Sequence, residues 1–141
     1  MTKNVLIAVN SIGDLKHFHT TSGKTLSVIH EPTTSFITCE YRPDGRAFLT
    51  GAYDGIVRIH DEHTRKVVVN LKGGGLGLPG QINRILCAKY VPEDPNIIVS
   101  GGWDGTVCIW DVRTARCSHK IAGLNICGDS IDIHDGIILT G

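Results

Sequence analysis

Apolar and polar residues alternate in short runs along this chain, and Gly, Pro, Asn or Asp interrupts the runs every few positions. Alternation puts successive side chains on opposite faces of an extended backbone, so each run predicts a strand. Residues 5–9 form an apolar, β-branched run and predict a buried strand. Leu15, His17 and His19 alternate with Lys16, Phe18 and Thr20 to predict a second, and residues 25–29 a third. A set of four follows at 35–41, 47–50, 56–60 and 66–71, with Arg42, Pro43, Asp44 and Gly45 supplying a turn between its first two members. A third set runs 82–91, 97–100, 106–110 and 117–121, with a longer turn at 92–96. Strands at 126–133 and 137–140, turning at 134–136, begin a fourth. Apolar spacing of the helical kind persists nowhere long enough to predict a helix.

The sets repeat. Residues 48–61, FLTGAYDGIVRIHD, return 50 positions later at 98–111 as IVSGGWDGTVCIWD. Gly51, Asp54, Gly55, Val57, Ile59 and Asp61 match Gly101, Asp104, Gly105, Val107, Ile109 and Asp111. Asp-Gly between alternating apolar runs is a strong hairpin signal, because both residues tolerate positive φ. A hairpin recurring at a fixed interval marks a repeat architecture. The stretch SGGWDGTVCIWDVRTARC resembles the core of a WD40 repeat, and GAYDGIVRIHDEHTRK resembles a degenerate second one. NSIGDLKHFH at 10–19 and ILTG at 138–141 fit the same register.

The resemblance implies an all-β fold of WD40-like β-propeller blades. It divides the chain into a partial blade at 1–30, whole blades at 31–72 and 81–122, and the start of another at 123–141. Two whole and two partial units fall short of the roughly 4–8 blades that close a propeller. The expectation is therefore an incomplete propeller, a piece of a longer chain; the alternative is self-association through open blade edges that completes the ring.

Composition changes this picture little. Apolar content of 41%, charge of 20% and 17 Gly suit a turn-rich globular β protein. The 14 basic and 14 acidic residues cancel, and no basic block favours phosphate contacts, so no direct nucleic-acid binding is expected. The apolar run near the amino terminus is too short for a membrane span. Five widely spaced cysteines, Cys39, Cys87, Cys108, Cys117 and Cys127, fit reduced thiols and a cytoplasmic setting, with nuclear or cytoskeletal association as alternatives.

Candidate chemistry is sparse. Gly75, Gly77 and Gly80 spell GxGxxG, but Pro79 and a strand pattern follow where a dinucleotide site needs a helix; a surface loop is the better reading. Seven His and five Cys lack the spacing of a zinc site, so neither metal nor other cofactor is expected. The resemblance implies a hydrogen-bond network in each blade, onto which Thr50, Asp54, Ser100, Asp104 and Trp110 fall. His60 stands where the family has Trp. The family's His is missing before the third unit, where Gln81 sits at about the right distance from Pro92, and His30 lies two residues too early before the second, so the networks are expected to be incomplete. Tyr53 and Trp103 occupy one place in the matched turns, just before Asp-Gly, on the face the family commonly uses for partners. They lead the partner-contact candidates, followed by Arg84, Phe36 and Ile12.

The reading is a non-catalytic protein-interaction scaffold. Its alternatives are a subunit whose ring another chain completes, and an enzymatic or ligand-binding propeller. The last would use its central channel, where Thr38, Glu40, Asn83, Arg84 and Lys89 offer polar groups.

Overall fold

A computed structural model describes residues 4–73 and 83–141, and they are built from strands and turns without a helix. β1 (Val5–Val9), β2 (Asp14–His19) and β3 (Thr25–His30) form a three-stranded sheet. β4 (Phe36–Tyr41), β5 (Ala47–Ala52), β6 (Val57–Asp61) and β7 (Val67–Leu71) form a four-stranded sheet. A second four-stranded sheet holds β8 (Ile85–Val91), β9 (Asp94–Gly102), β10 (Thr106–Asp111) and β11 (Arg116–Ala122). β12 (Ile131–His134) and β13 (Ile137–Thr140) pair alone. Every pairing is antiparallel between sequence neighbours, the up-and-down order that Asp-Gly and Pro-Asp-Gly turns impose.

The repeat extends to backbone irregularities. A bulge falls between His17 and Phe18, Ile59 and His60, and Ile109 and Trp110, the same place in three sheets. Arg65 and Ala115, also matched, both take the left-handed conformation at the following turn, with φ of 58° and 53°. Asp61 and Asp111 steady those turns by accepting the amides of Thr64 and Arg113.

Three apolar clusters lie between consecutive sheets, and β5 shows why. It is buried from end to end, because its alternate residues face different neighbours. Phe48 and Ala52 join Leu15 and Phe36 against the first sheet. Ala47 and Leu49 join Ile85, Tyr90, Ile98 and Trp110 against the third. β9 divides likewise: Ile98 packs backward, and Val99 forward onto Ile126, Ile131 and Ile133. The contact is close enough to require glycine at Gly101, where a Cβ would lie 2.9 Å from Cys87 Sγ and from side-chain carbons of Ile126 and Ile131. Each four-stranded sheet thus buries both faces only with a neighbour on each side.

Three strand expectations need correction. β9 begins at Asp94, so the expected turn at 92–96 contracts to Pro92 and Glu93, and Pro95 lies within the strand. Pro95 is tolerated because β10 pairs with β9 only from Ile97 onward, leaving no ladder bond for its missing N–H to make there. The strand expected from 126 starts at Ile131, since Gly128 at φ 59° breaks the extended backbone. Ile126 is buried all the same, held by packing rather than pairing. The strand expected from 82 begins at Ile85, and its first residue lies outside the described ones.

Candidate functional site

Tyr53 and Trp103 sit on the β5–β6 and β9–β10 turns, and the same backbone bond anchors both. The Tyr53 N–H donates to Ser35 O and the Trp103 N–H to Arg84 O, each at 2.9 Å, tying the turn to the residue just before its sheet's first strand. The turns are closed by Asp side chains: Asp54 Oδ1 accepts the Ile56 N–H at 3.1 Å, and Asp104 Oδ1 accepts the Thr106 N–H at 3.2 Å and its hydroxyl at 2.6 Å. Gly55 then completes the first turn at φ 77°, and a Cβ on it would lie 2.9 Å from Asn83 O. The turn bearing Tyr53 therefore rests on the segment bearing Arg84.

That contact joins two blades at one point. The Arg84 guanidinium carbon lies 3.7 Å from the Tyr53 ring centroid and 5.7 Å from that of Trp103. Cation–π attraction of this kind contributes about 0.5–2 kcal/mol, more as water is excluded. Both rings remain largely open, Tyr53 at 48% and Trp103 at 63% exposure. Beside Trp103 runs a groove of about 190 Å³ lined by Gly105, Leu124, Asn125, Ile126 and Cys127. Leu124 and Asn125 were not singled out from the sequence, where their only signal was a place in the connection leading into the fourth unit; Gly105 was read there as a turn glycine, and Ile126 and Cys127 as part of a strand.

The remaining candidates scatter. Ile12 is 68% exposed on the β1–β2 turn, the first sheet's version of the same feature, one blade away from Arg84's neighbours. Phe36 must be withdrawn as a surface contact: it is 3% exposed and packs with Leu15, Phe48 and Ala52. Its structural counterpart is the buried Ile85, because both are paired across a β-bulge at the start of a first strand. Gly75, Gly77 and Gly80 lie outside the described residues.

The network residues form pairs. Trp110 Nε1 donates to Ser100 Oγ at 2.8 Å, and the fully buried indole packs toward the second sheet. One repeat earlier, His60 Nε2 shares a hydrogen bond with Thr50 Oγ1 at 3.0 Å, so the imidazole keeps the bond that the indole makes. It also stacks on Phe48, with centroids 4.7 Å apart and planes 6° from parallel. Phe48 corresponds to Ile98; a larger neighbour fills the space that the smaller ring leaves. Burial above all, then the nearby charges of Arg58 and His17, push the His60 pKa down to about 4. Asp54 and Asp104 serve their turns rather than these pairs. Burial opposes ionisation of Asp54, but hydrogen bonds from Arg58 and Ile56 outweigh it and hold the carboxyl below its ordinary value.

An open cleft of about 420 Å³ lies between the inner strands β1, β4 and β8 and the segment before β12, lined by Ala8, Val9, Ile37, Thr38, Cys39, Leu86, Gly128 and Asp129. Cys39 and Asp129, two of its polar groups, are engaged in structure: the Cys39 thiol faces Ile7 O at 3.8 Å. Burial raises the Cys39 thiol to about 11, so it is no thiolate at neutral pH, and Asp129 lies 3.7 Å from Lys89. Glu40 accepts the Tyr90 N–H at 2.7 Å, stapling β4 to β8.

Sheets stacked in sequence order, with matched bulges, matched Asp-Gly turns and cores between them, define a β-propeller-type repeat protein. The chain belongs to the WD-repeat family: the family model for the WD domain, G-beta repeat, matches residues 18–61 and 77–111. It is similar to cell division control protein 4 of Saccharomyces cerevisiae, 33% identical over 100 residues covering 71% of this chain. It is also similar to the guanine nucleotide-binding protein subunit beta of Arabidopsis thaliana, 24% identical over 132 residues and 93% of the chain. Polycomb protein esc of Musca domestica is 29% identical over 98 residues and 67% of the chain. The chain spans 12%, 35% and 21% of these three relatives. Members of the family are generally non-catalytic scaffolds, and no helix among the described residues is long and apolar enough to cross a membrane.

Proposed function

We propose that this chain is a non-catalytic interaction scaffold whose partner-contact face is the group formed by Tyr53, Arg84 and Trp103. The carrying observation is that two exposed aromatic rings from adjacent blades converge on one guanidinium. Aromatic and Arg side chains dominate binding hot spots, and these stand on turns anchored by backbone bonds, so little ordering entropy is lost on binding. Membership of a family of scaffolds supports the reading.

Selection of a displayed random-peptide library on the immobilised chain tests it. Enriched peptides are expected to bind Tyr53→Ala and Trp103→Ala at least about tenfold more weakly, while stability falls by no more than about 0.5 kcal/mol in Trp103→Ala and about 1 kcal/mol in Tyr53→Ala, which also loses its contact with Arg84. Peptides indifferent to both substitutions would place the contact face elsewhere. Equal loss of binding and stability would make the rings packing groups.

A second reading, a ring completed by another chain, is favoured by Ile137 and Leu139, both exposed on β13. Light scattering across a concentration range is expected under it to show mass rising to a defined oligomer. A constant monomer mass would remove it.

A further inference from the structure

We infer that the Arg84 site takes a carboxylate: the side chain of an Asp or Glu in an extended partner segment, with an apolar neighbour seated in the groove beside Trp103. This rests on the interaction reading above and specifies the chemistry of the partner. Arg84 forms no ion pair among the described residues, and residues 74–82, which lie outside them, contain no Asp or Glu. The two carboxylates on the flanking turns are already engaged. Asp54 is paired with Arg58, and Asp104 binds Thr106 and faces Lys120 at 3.9 Å.

Stacking then decides how the guanidinium can be used. With Tyr53 against its face, its remaining capacity is the in-plane N–H donors along its edge. A carboxylate meets such an edge with two parallel, charge-assisted hydrogen bonds. Poor hydration and aromatic cover lower the cost of desolvating the cation, so charge complementarity is strengthened here. A dianionic phosphate fits less well. The β5–β6 hairpin carries one further cation, Arg58, already held by Asp54; the β9–β10 hairpin carries none, and the neighbouring Lys120 of β11 is drawn to Asp104 at 3.9 Å. The groove next to Trp103, with Leu124 and Ile126 in its lining, suits an aliphatic side chain one or two residues from the acid.

Trp103 reports on its own site, because the other tryptophan, Trp110, is fully buried. Emission of the full chain would be titrated with three short peptides that share a leucine and differ at one position: Asp, Asn or phosphoserine. The Asp peptide is expected to shift the emission saturably, with the Asn peptide at least about tenfold weaker and the gap shrinking as salt rises. Arg84→Gln should abolish the difference between Asp and Asn, and Arg84→Lys should keep a smaller one, since an ammonium cannot reproduce the two parallel bonds. Equal binding of the Asp and Asn peptides, lost in Tyr53→Ala, would overturn the carboxylate and leave the interaction face standing. Tighter binding of phosphoserine by tenfold or more would overturn it in favour of phosphate. A flat response to all three would overturn it as well. The interaction reading would then stand or fall by whether library-selected peptides still depend on Trp103.

Discussion

Trp110→Ala is expected to lower the unfolding free energy by about 3–5 kcal/mol, the range for deleting a large ring from a core that cannot close around the gap. The indole is fully buried in the cluster joining the second and third sheets, beside Leu49, Tyr90 and Ile98. Its loss opens a cavity at the surface through which one blade supports the next, and it also removes the donor to Ser100. Small domains are stable by only about 5–15 kcal/mol, so this variant should sit near the edge of folding. Urea denaturation monitored by far-UV circular dichroism would measure it. Trp103→Ala is the control, because the exposed indole on the turn should cost no more than about 0.5 kcal/mol. A loss below about 1 kcal/mol at Trp110 would mean that sheet-on-sheet packing does not hold the array together.

Acidification should expose the other repeat's weakness. His60 is buried as a neutral imidazole with its pKa near 4, against 6.5 for an unhindered histidine. The unfolded chain therefore takes up this proton first. The stabilisation is complete above about pH 6.5, drains as pH falls, and is gone below about 4, a change of about 3 kcal/mol in all. His17 acts in the same direction: burial lowers its pKa against the opposing attraction of Glu62, 3.4 Å away. Glu40 partly offsets them, because burial raises its carboxyl above the ordinary value and protonation in the folded state relieves that cost. The lowered carboxylates, Asp14, Asp54, Asp61 and Asp111, matter only beneath this window. Stability from denaturant curves at pH 7, 5.5 and 4 would trace the loss. The double variant Phe48→Ile, His60→Trp recreates the Ile98–Trp110 arrangement of the third sheet and should remove more than half of the pH dependence. An unchanged slope would assign the acid sensitivity to other groups.

The contrast between the two repeats shows why a degenerate motif still folds. The sequence presents His60 as a departure from the pattern, which leads to the expectation of a weakened network. The structure shows one compensation in two parts: the imidazole retains the bond to Thr50, and Phe48 occupies the volume that a tryptophan would have taken. What has changed is susceptibility to protons, since an indole does not titrate.

Local chemistry made the hairpins, the all-β class and the family legible from the sequence alone. Asp-Gly turns act over two residues and alternation over five or six, so both survive in a linear reading. The matched positions of Tyr53 and Trp103 were visible for the same reason. Other features depended on which sheet faces which. Phe36 turned inward because Phe48 and Leu15 offered it a core, and Ile126, cut off from β12 by the bend at Gly128, was buried by packing without joining a ladder. The meeting of Arg84 with Tyr53 arises where a turn of one blade rests on the entry to the next, through Gly55 and Asn83. No periodicity encodes that contact, because it is made by backbone approach between sheets. The sequence by itself determined the repeating unit; the stacking of those units decided which of its residues became a site.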